Sequence, residues 1–125
     1  MFILDSSAII DFFRGNEKVT RIIEGGNSAT TVFSYYEVMR PLLENKGRQY
    51  AFFWFYFKKA RVFDFDMKAC EESAEIFSKL SSLGTPINHV DAMIAGICRS
   101  RKGKIVTKDR DFMKLDKIGV ECILV

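Results

Sequence analysis

Four acidic residues stand where an apolar stretch of the chain gives way to a turn or to the start of a helix. They are Asp5, Glu37, Asp91 and Asp109. The carboxyl ends of parallel strands line one crevice of an open sheet, and ligands bind in that crevice. Several carboxylates at such an edge repel one another unless a divalent cation joins them. The pattern therefore predicts a magnesium or manganese site, and with it phosphate chemistry.

The number of carboxylates bears on what such a site could do. Magnesium prefers hard oxygen ligands and usually takes only one or two protein carboxylates, with water completing its shell. Four acids exceed that need, so the surplus can hold metal-bound water, bind a second ion or act as a general base. We interpret the set as a centre for metal-assisted hydrolysis of a phosphodiester, with water as the nucleophile.

Alternating strand and helix patterns must position these acids. Short β-branched or apolar runs alternate with amphipathic runs, which predicts an α/β fold with a mostly parallel sheet. The predicted strands are Phe2–Leu4, Ala29–Val32, Arg61–Phe65, Lys104–Thr107 and Glu121–Val125. The predicted helices are Ser7–Phe13, a helix capped by Asn16 that reaches Glu24, one opened by Ser34, Gly47–Lys59, Met67–Leu83, Asn88–Arg101 and a helical turn over Arg110–Leu115.

Length and composition restrict the class of protein. A chain of 125 residues with 48% hydrophobic residues fits one domain that buries its own core. The three cysteines, Cys70, Cys98 and Cys122, are widely spaced and form no C-x-x-C pair, which favours reduced thiols over zinc or disulfides. No signal peptide is evident, and no apolar run approaches the roughly 20 residues of a membrane span. We expect a cytoplasmic protein without a membrane partner.

Basic residues crowd the last third of the chain, around two of the four acids. The net charge is only +3, but eight lysines and arginines fall between positions 99 and 117. Basic residues around an acidic centre suit a polyanionic substrate, although a solvated lysine-rich surface explains them equally well. The candidates for contact with an RNA backbone are Arg99, Arg101, Lys102, Lys108 and Arg110.

Four segments resemble the motifs of the PIN-domain ribonucleases, especially the VapC toxins of prokaryotic toxin–antitoxin pairs. The first is Ile3-Leu4-Asp5-Ser6-Ser7-Ala8-Ile9-Ile10-Asp11, in which a hydrophobic strand leads into Asp, Ser and a helix. The others are Ser34-Tyr35-Tyr36-Glu37-Val38, Val90-Asp91-Ala92-Met93-Ile94-Ala95 and Ile105-Val106-Thr107-Lys108-Asp109-Arg110-Asp111-Phe112. Each motif is weak alone, but the four occur in the family's order along the whole chain. Gly96-Ile97-Cys98 departs from the usual alanine-rich continuation of the third motif.

The resemblance implies a single PIN domain over residues 1–125, with a three-layer α/β/α fold and a central sheet of four to five short strands. It also implies a Mg²⁺- or Mn²⁺-dependent endoribonuclease, pairing with an antitoxin protein, and a homodimer. Carried over by motif, Asp5, Glu37, Asp91 and Asp109 become catalytic metal ligands. Hydroxyls of Ser6 or Ser7 and of Thr107 would orient carboxylates or water, and Asp111 would be an auxiliary acid.

Each acid also has a purely structural interpretation. Asp5 can cap the helix that starts near Ser7, and Asp109 can cap the turn before Phe112. Ser34-x-x-Glu37 has the spacing of a capping box, and Asn88-x-x-Asp91 shares that spacing. Capping and metal binding are compatible in one residue, so these interpretations do not exclude the site.

Parts of the sequence also bear on functions other than that of a toxin nuclease. An RNA-processing PIN nuclease outside a toxin–antitoxin pair and a non-catalytic PIN-like module that binds RNA or protein both remain open. An aspartate phosphatase needs Asp-x-Asp-x-Thr, and Asp5-Ser6-Ser7 lacks the second aspartate. His89, the only histidine, has no partner for a metal triad or a nucleophile–base pair. The aromatic run over residues 52–57 exceeds what a small core absorbs, which favours a dimer contact or a groove for a partner helix.

Overall fold

The computed structural model describes residues 1–125 and contains the predicted alternation of strands and helices. The strands are β1 (Phe2–Leu4), β2 (Ser28–Thr31), β3 (Val62–Phe63), β4 (Lys104–Thr107) and β5 (Cys122–Leu124). The α-helices are α1 (Ser6–Phe13), α2 (Glu17–Glu24), α3 (Val32–Met39), α4 (Arg48–Lys59), α5 (Met67–Ser82) and α6 (His89–Ser100). Two 3₁₀ helices cover Arg40–Glu44 and Arg110–Ile118.

All five strands form one parallel sheet in the order β3-β2-β1-β4-β5. Strand β1 is therefore central, with Ile3 paired to Ala29 on one side and to Ile105 on the other. Successive strands β1, β2 and β3 step outward in one direction, whereas β4 and β5 extend in the other. The order reverses between β1 and β4, which places a crevice at their carboxyl ends.

Alternate residues of the central strands feed two separate cores. Ile3 and Ile105 point to one face, where they pack in a cluster with α5, α6 and the second 3₁₀ helix. Leu4 and Val106 point to the other face and join a cluster with α1, α2, α3 and α4. Helices thus cover both faces of the sheet, which confirms the three-layer α/β/α fold. No helix is both long and apolar enough to cross a membrane.

Polar caps fix where several helices begin, as the sequence predicts. Asn16 accepts a hydrogen bond from Lys18 N (2.9 Å) at the start of α2. Asp66 accepts one from Ala69 N (2.9 Å) at the start of α5. Such caps satisfy backbone N–H groups that have no partner within the helix, so they hold the entry point of each helix.

The boundary between β2 and α3 differs from the prediction. The strand ends at Thr31 and the helix begins at Val32. Thr31 is the cap, because its Oγ1 accepts from Ser34 N at 3.2 Å. Ser34 is therefore inside the helix, and the capping box proposed for Ser34 and Glu37 is wrong. This removes the structural explanation that competed most directly with a functional role for Glu37.

Gly96 is the point of closest approach between α5 and α6. A Cβ atom at this position would lie 1.8 Å from Ser73 Oγ and 2.5 Å from the Ala69 carbonyl oxygen. Ser73 cannot simply turn aside, because its hydroxyl donates to that same carbonyl (2.8 Å). The departure from the alanine-rich pattern at this position is thus a packing requirement.

We expect Gly96→Ala to lower the free energy of unfolding by roughly 1–3 kcal/mol, because the two helix backbones must separate. Thermal or urea denaturation measures the change. Gly47→Ala is the matched control, since its φ is negative and a Cβ there would meet nothing within 4 Å. Equal stability of the two variants would contradict the proposed close contact.

Candidate active site

The candidate site lies at the switch point of the sheet, where β1 and β4 end side by side. Asp5 follows β1 directly, and Asp109 follows β4 after one residue. Backbone pairing continues to this edge, because Asp5 N donates to the Val106 carbonyl oxygen at 3.1 Å. The topology therefore brings together two acids that are 104 positions apart in the sequence (109 − 5).

Asp5 is held rigidly by three hydrogen bonds. Its Oδ1 accepts from Ser7 Oγ (2.7 Å) and from Ala8 N (3.0 Å), which makes it the cap of α1. Its Oδ2 accepts from Thr107 Oγ1 at 2.7 Å. A carboxylate offers about four lone-pair positions, so one position on Oδ2 is left for a further ligand. The capping interpretation of Asp5 and a ligand role are both compatible with this geometry.

Burial dominates the electrostatics of Asp5. The residue is 4% exposed, and removal from water raises the pKa of its carboxyl. The hydrogen bonds from Ser7, Thr107 and Ala8 lower that pKa, and the negative charge of Asp109 raises it. No lysine or arginine offsets the free-energy cost of burying this negative charge. A bound cation would offset that cost.

Asp91 is oriented by Asn88 in the first turn of α6. Asn88 accepts from Asp91 N (2.8 Å), and its Nδ2 donates to Asp91 Oδ2 (2.7 Å). The pKa of Asp91 is raised to about 6, chiefly by removal from water. The charges of Asp109, Asp5 and Glu37 raise it further, against the hydrogen bond from Asn88. The orienting role of Asn88 is a feature that motif matching alone does not identify.

Glu37 completes the set from helix α3. Desolvation raises its pKa, and the charge of Asp5 adds to the shift. Asp109 caps the second 3₁₀ helix through Asp111 N (2.9 Å), and its own N–H donates to Thr107 Oγ1 (2.9 Å). The four acids therefore act on one another across a common space and not on separate surfaces.

The chemistry of this space fits a hard divalent cation. None of the four acids belongs to any of the seven ion pairs of the structure. All the available ligand atoms are carboxylate oxygens, which magnesium and manganese prefer. No group of three histidine, cysteine or acidic side chains is gathered tightly enough to enclose an ion by itself. Water would therefore have to supply part of any coordination shell.

Three of the basic residues predicted to contact RNA lie far from this space. Arg99, Arg101 and Lys102 are at the carboxyl end of α6, whereas Asp91 is in its first turn, about 12 Å or more away along the axis. Arg99 pairs with Glu72 and with Glu75 (3.4 Å), and therefore ties α6 to α5. Arg101 lies over the ring of Phe63 at 4.4 Å and within 3.9 Å of Asp66. The structure thus separates these three residues from the four acids, and their contact with an RNA backbone stays a prediction.

Lys108 has a structural partner that the sequence analysis missed. Its Nζ lies 3.1 Å from Oδ1 of Asp11, a residue that is only 7% exposed. Asn16 Nδ2 donates to Asp11 Oδ2, and the pKa of Asp11 is lowered chiefly by that bond. Because Lys108 N also donates to Ser7 Oγ (3.0 Å), the lysine fastens the end of β4 to α1. Its predicted contact with RNA stays a prediction.

The remaining predicted residues divide between the site and its surroundings. Ser7 and Thr107 are both within the hydrogen-bond network, and their hydroxyls lie 3.3 Å apart. Ser6 makes no hydrogen bond through its hydroxyl, so Ser7 is the serine that orients Asp5. The Asp111 carboxylate pairs with Lys114 at 3.6 Å, and its auxiliary role stays a prediction. Arg110 is exposed at the same edge without an ion pair.

Comparison with known proteins agrees with this architecture. The sequence profile described as PIN domain matches residues 2–118. A chain of the DNA-bound VapBC structure from Salmonella typhimurium superposes with a TM-score of 0.83 at 22% identity, covering 98% of this chain and 96% of that one. A chain of VapBC-5 from Mycobacterium tuberculosis, a member of the VapBC family of toxin-antitoxin systems, gives 0.78 at 24% identity, covering 98% and 97%. A chain of FitAcB from Neisseria gonorrhoeae gives 0.79 at 19%, covering 98% and 96%. No curated protein sequence matches the chain.

Proposed function

Since the chain belongs to the PIN domain family, we propose that it is a metal-dependent endoribonuclease that hydrolyses RNA phosphodiester bonds with water as the nucleophile. One observation carries the proposal. Removal from water, together with the negative charges of neighbouring acids at the switch point, raises the pKa of Asp5, Glu37 and Asp91, and no cationic side chain forms an ion pair with any of the four acids. Such a cluster of negative charges destabilises the folded protein unless a cation binds to it.

Mg²⁺ or Mn²⁺ is the proposed cofactor. Asp5, Asp91 and Asp109, with Glu37 directly or through water, would hold it. When bound, the ion supplies a Lewis acid for the phosphoryl oxygen and lowers the pKa of bound water.

The protein's own groups have distinct parts in the proposed reaction. Thr107 and Ser7 fix both oxygens of Asp5, so that its free lone pair keeps one direction. Asn88 holds Oδ2 of Asp91, which leaves Oδ1 open to the site. A carboxylate of the four that is not in direct contact with the ion would accept the proton of the attacking water. The water oxygen then bonds to phosphorus as the ribose–phosphate ester bond breaks.

Metal removal is the direct test of the proposed activity. We expect an RNA oligonucleotide to be cut internally with Mg²⁺ or Mn²⁺, and cleavage to stop with excess EDTA. Gel electrophoresis of end-labelled RNA measures the products, and re-addition of Mn²⁺ is the control for irreversible damage. Cleavage that continues unchanged in chelator would contradict the mechanism.

We propose that the nuclease is the toxin of a toxin–antitoxin pair. VapBC and FitAcB chains share its fold over nearly their whole length. The protein would then act in the cytoplasm, where its three free cysteines stay reduced. An RNA-processing nuclease without an antitoxin is the second candidate, and a binding module without activity is the third. The gene neighbour discriminates the first two, and the cleavage assay eliminates or supports the third.

A groove beside the aromatic helix α4 is the proposed antitoxin site. It has a volume of about 500 Å³, and its apolar wall includes Phe12, Phe52, Phe55 and Tyr56. The Tyr56 hydroxyl is buried without a hydrogen-bond partner, and a small rotation of the ring would let it donate to a backbone carbonyl of an incoming segment. Phe55 is 60% exposed, although it is large and apolar. Such exposed apolar surface is typical of a site that a partner segment covers.

We expect Phe55→Ala to weaken binding to the protein encoded by the neighbouring gene by roughly 30-fold, as for an aromatic hot spot. Titration calorimetry of the purified pair measures the affinity. Met67→Ala is the control, because Met67 is 73% exposed but lies in the opposite helical layer. Equal losses in both variants would place the partner elsewhere.

The homodimer is proposed to use the exposed aromatic residues outside that groove. Tyr35 and Tyr36 of α3 are 45% and 63% exposed, and Trp54 of α4 is 38% exposed. Self-association through such rings removes apolar area from water. A monomer in sedimentation experiments at high micromolar concentration would contradict this assignment.

A further inference from the structure

We propose that a cleft between α5 and the first turns of α6 binds a nucleobase of the RNA next to the cleaved phosphodiester. This inference rests on the proposed function, since it concerns the same substrate. It adds a second contact between the protein and the RNA, which is apolar and neutral where the carboxylate site is charged.

The cleft is a cavity of about 310 Å³ with an apolar lining. Its wall includes the aromatic residues Phe65, Phe77 and His89, together with Ala92 and Met93. None of its eight lining residues is aspartate, glutamate, lysine or arginine. A phosphate would find no charge partner here, whereas a flat, neutral ring would replace water at apolar surface.

His89 is arranged as a stacking platform. Its ring lies parallel to that of Phe77, with centroids 4.5 Å apart and planes 13° apart. Phe77 therefore fixes the plane of the imidazole, and His89 remains exposed. Bases stack on aromatic side chains in single-stranded RNA recognition, and an imidazole can also hydrogen-bond a base edge. This gives the only histidine of the chain a role that the acidic site does not require.

The cleft adjoins the proposed catalytic centre. His89 is two residues before Asp91, about 3 Å along the axis of α6 and about 200° around it, so the two side chains leave the same end of the helix on different faces. On the other side, Phe65 packs edge-on against Phe33 at 5.2 Å, and Phe33 belongs to α3, the helix that carries Glu37. An RNA strand alternates anionic phosphates with neutral bases. The proposed metal centre would attract a phosphate, and the apolar cleft at the same end of α6 would accommodate a neighbouring base.

The test uses the full-length protein and a short single-stranded RNA with one 2-aminopurine, in Ca²⁺ to limit turnover. We expect the probe's fluorescence to be quenched on binding at one position of the label. His89→Ala should remove the quenching and weaken binding about 5- to 150-fold, the range for loss of one stacked base. Val90→Ala is the matched control, because Val90 is the next residue, is 40% exposed and does not line the cleft.

The outcomes separate this inference from the proposed activity. Quenching that depends on His89 without any RNA cleavage in Mg²⁺ would support the cleft and reject the nuclease. Normal cleavage with the same KM in wild type and His89→Ala, and no quenching at any label position, would overturn the cleft alone. Equal losses in Val90→Ala would overturn it as well, since the effect would then be one of helix packing. Weakened binding of the neighbouring gene's protein by His89→Ala, with RNA binding unchanged, would assign the cleft to a protein partner and overturn the proposal.

Discussion

Asp5→Asn is expected to reduce RNA cleavage by at least about 100-fold without unfolding the protein. Loss of a group that merely orients a metal ligand already costs about 10- to 100-fold in affinity or activity. The loss should be larger for Asp5, because its Oδ2 has a free lone pair and would contact the ion directly. Steady-state cleavage of end-labelled RNA at saturating Mg²⁺ measures the loss.

The fold is expected to survive because asparagine reproduces most of the hydrogen bonds of Asp5. Its Oδ1 can accept from Ala8 N and Ser7 Oγ, as the carboxylate does. Its Nδ2 can donate to the Thr107 hydroxyl, which rotates to accept. Asparagine is also as good an N-cap as aspartate. Circular dichroism and the melting temperature should therefore remain those of a folded protein.

Asp116→Asn is the matched control for the Asp5 variant. Asp116 is an exposed acid on the second 3₁₀ helix, and the substitution removes the same charge at a position outside the four acids. It should cut RNA at the wild-type rate. Wild-type cleavage by Asp5→Asn would show that the four acids are not the catalytic centre.

The parts of the site that the sequence predicts are those set by local chemistry. Asp5 and Asn88 each lie one residue before a helix, where their side chains cap backbone N–H groups whatever the tertiary structure. Asp5 and Asp109 follow apolar strands, and parallel packing then brings strand ends to one edge. Local patterns and one topological rule are enough to bring Asp5 and Asp109 to one edge of the sheet, whereas Glu37 and Asp91 are assigned by resemblance of motifs.

The parts that the sequence does not predict depend on distance along an element or on long-range pairing. Arg99 and Asp91 are close in sequence, but they lie near opposite ends of α6, so the density of charge along the chain does not predict which residues surround the acids. The pairing of Lys108 with Asp11 spans 97 positions and has no sequence signature. Ser34 and Glu37 have the spacing of a capping box, but the helix begins earlier, at Val32, and Thr31 is therefore its N-cap.

The same acids that would bind the cation should weaken the metal-free protein. Like charges are collected where the fold removes them from water, and no ion pair offsets them. Active sites commonly carry such a cost, and removal of the functional group then stabilises the fold. Asp91 offers the clearest case, because its pKa shift is large and it is half-buried.

Asp91→Asn is expected to stabilise the metal-free protein at pH 7.5 by roughly 1–2 kcal/mol and to give no gain at pH 4. In the folded protein the pKa of Asp91 is about 6, against an ordinary value of 3.8. Between these values the unfolded chain releases a proton that the folded protein keeps, so folding stability falls as the pH rises through this window. The full shift would correspond to about 3 kcal/mol, and partial exposure to solvent reduces it.

Thermal denaturation of wild type and variant in EDTA, from pH 4 to pH 8, measures this difference. The variant should melt about 3–8 °C higher above pH 7, and the two curves should converge towards pH 4. Added Mg²⁺ should raise the melting temperature of the wild type more than that of the variant, since the ion offsets a repulsion that the variant lacks. Asp116→Asn should follow the wild type at every pH. A constant difference between wild type and Asp91→Asn across the whole range would mean that the carboxyl at position 91 does not titrate in this window, and that repulsion among the four acids is not the cost that a cation relieves.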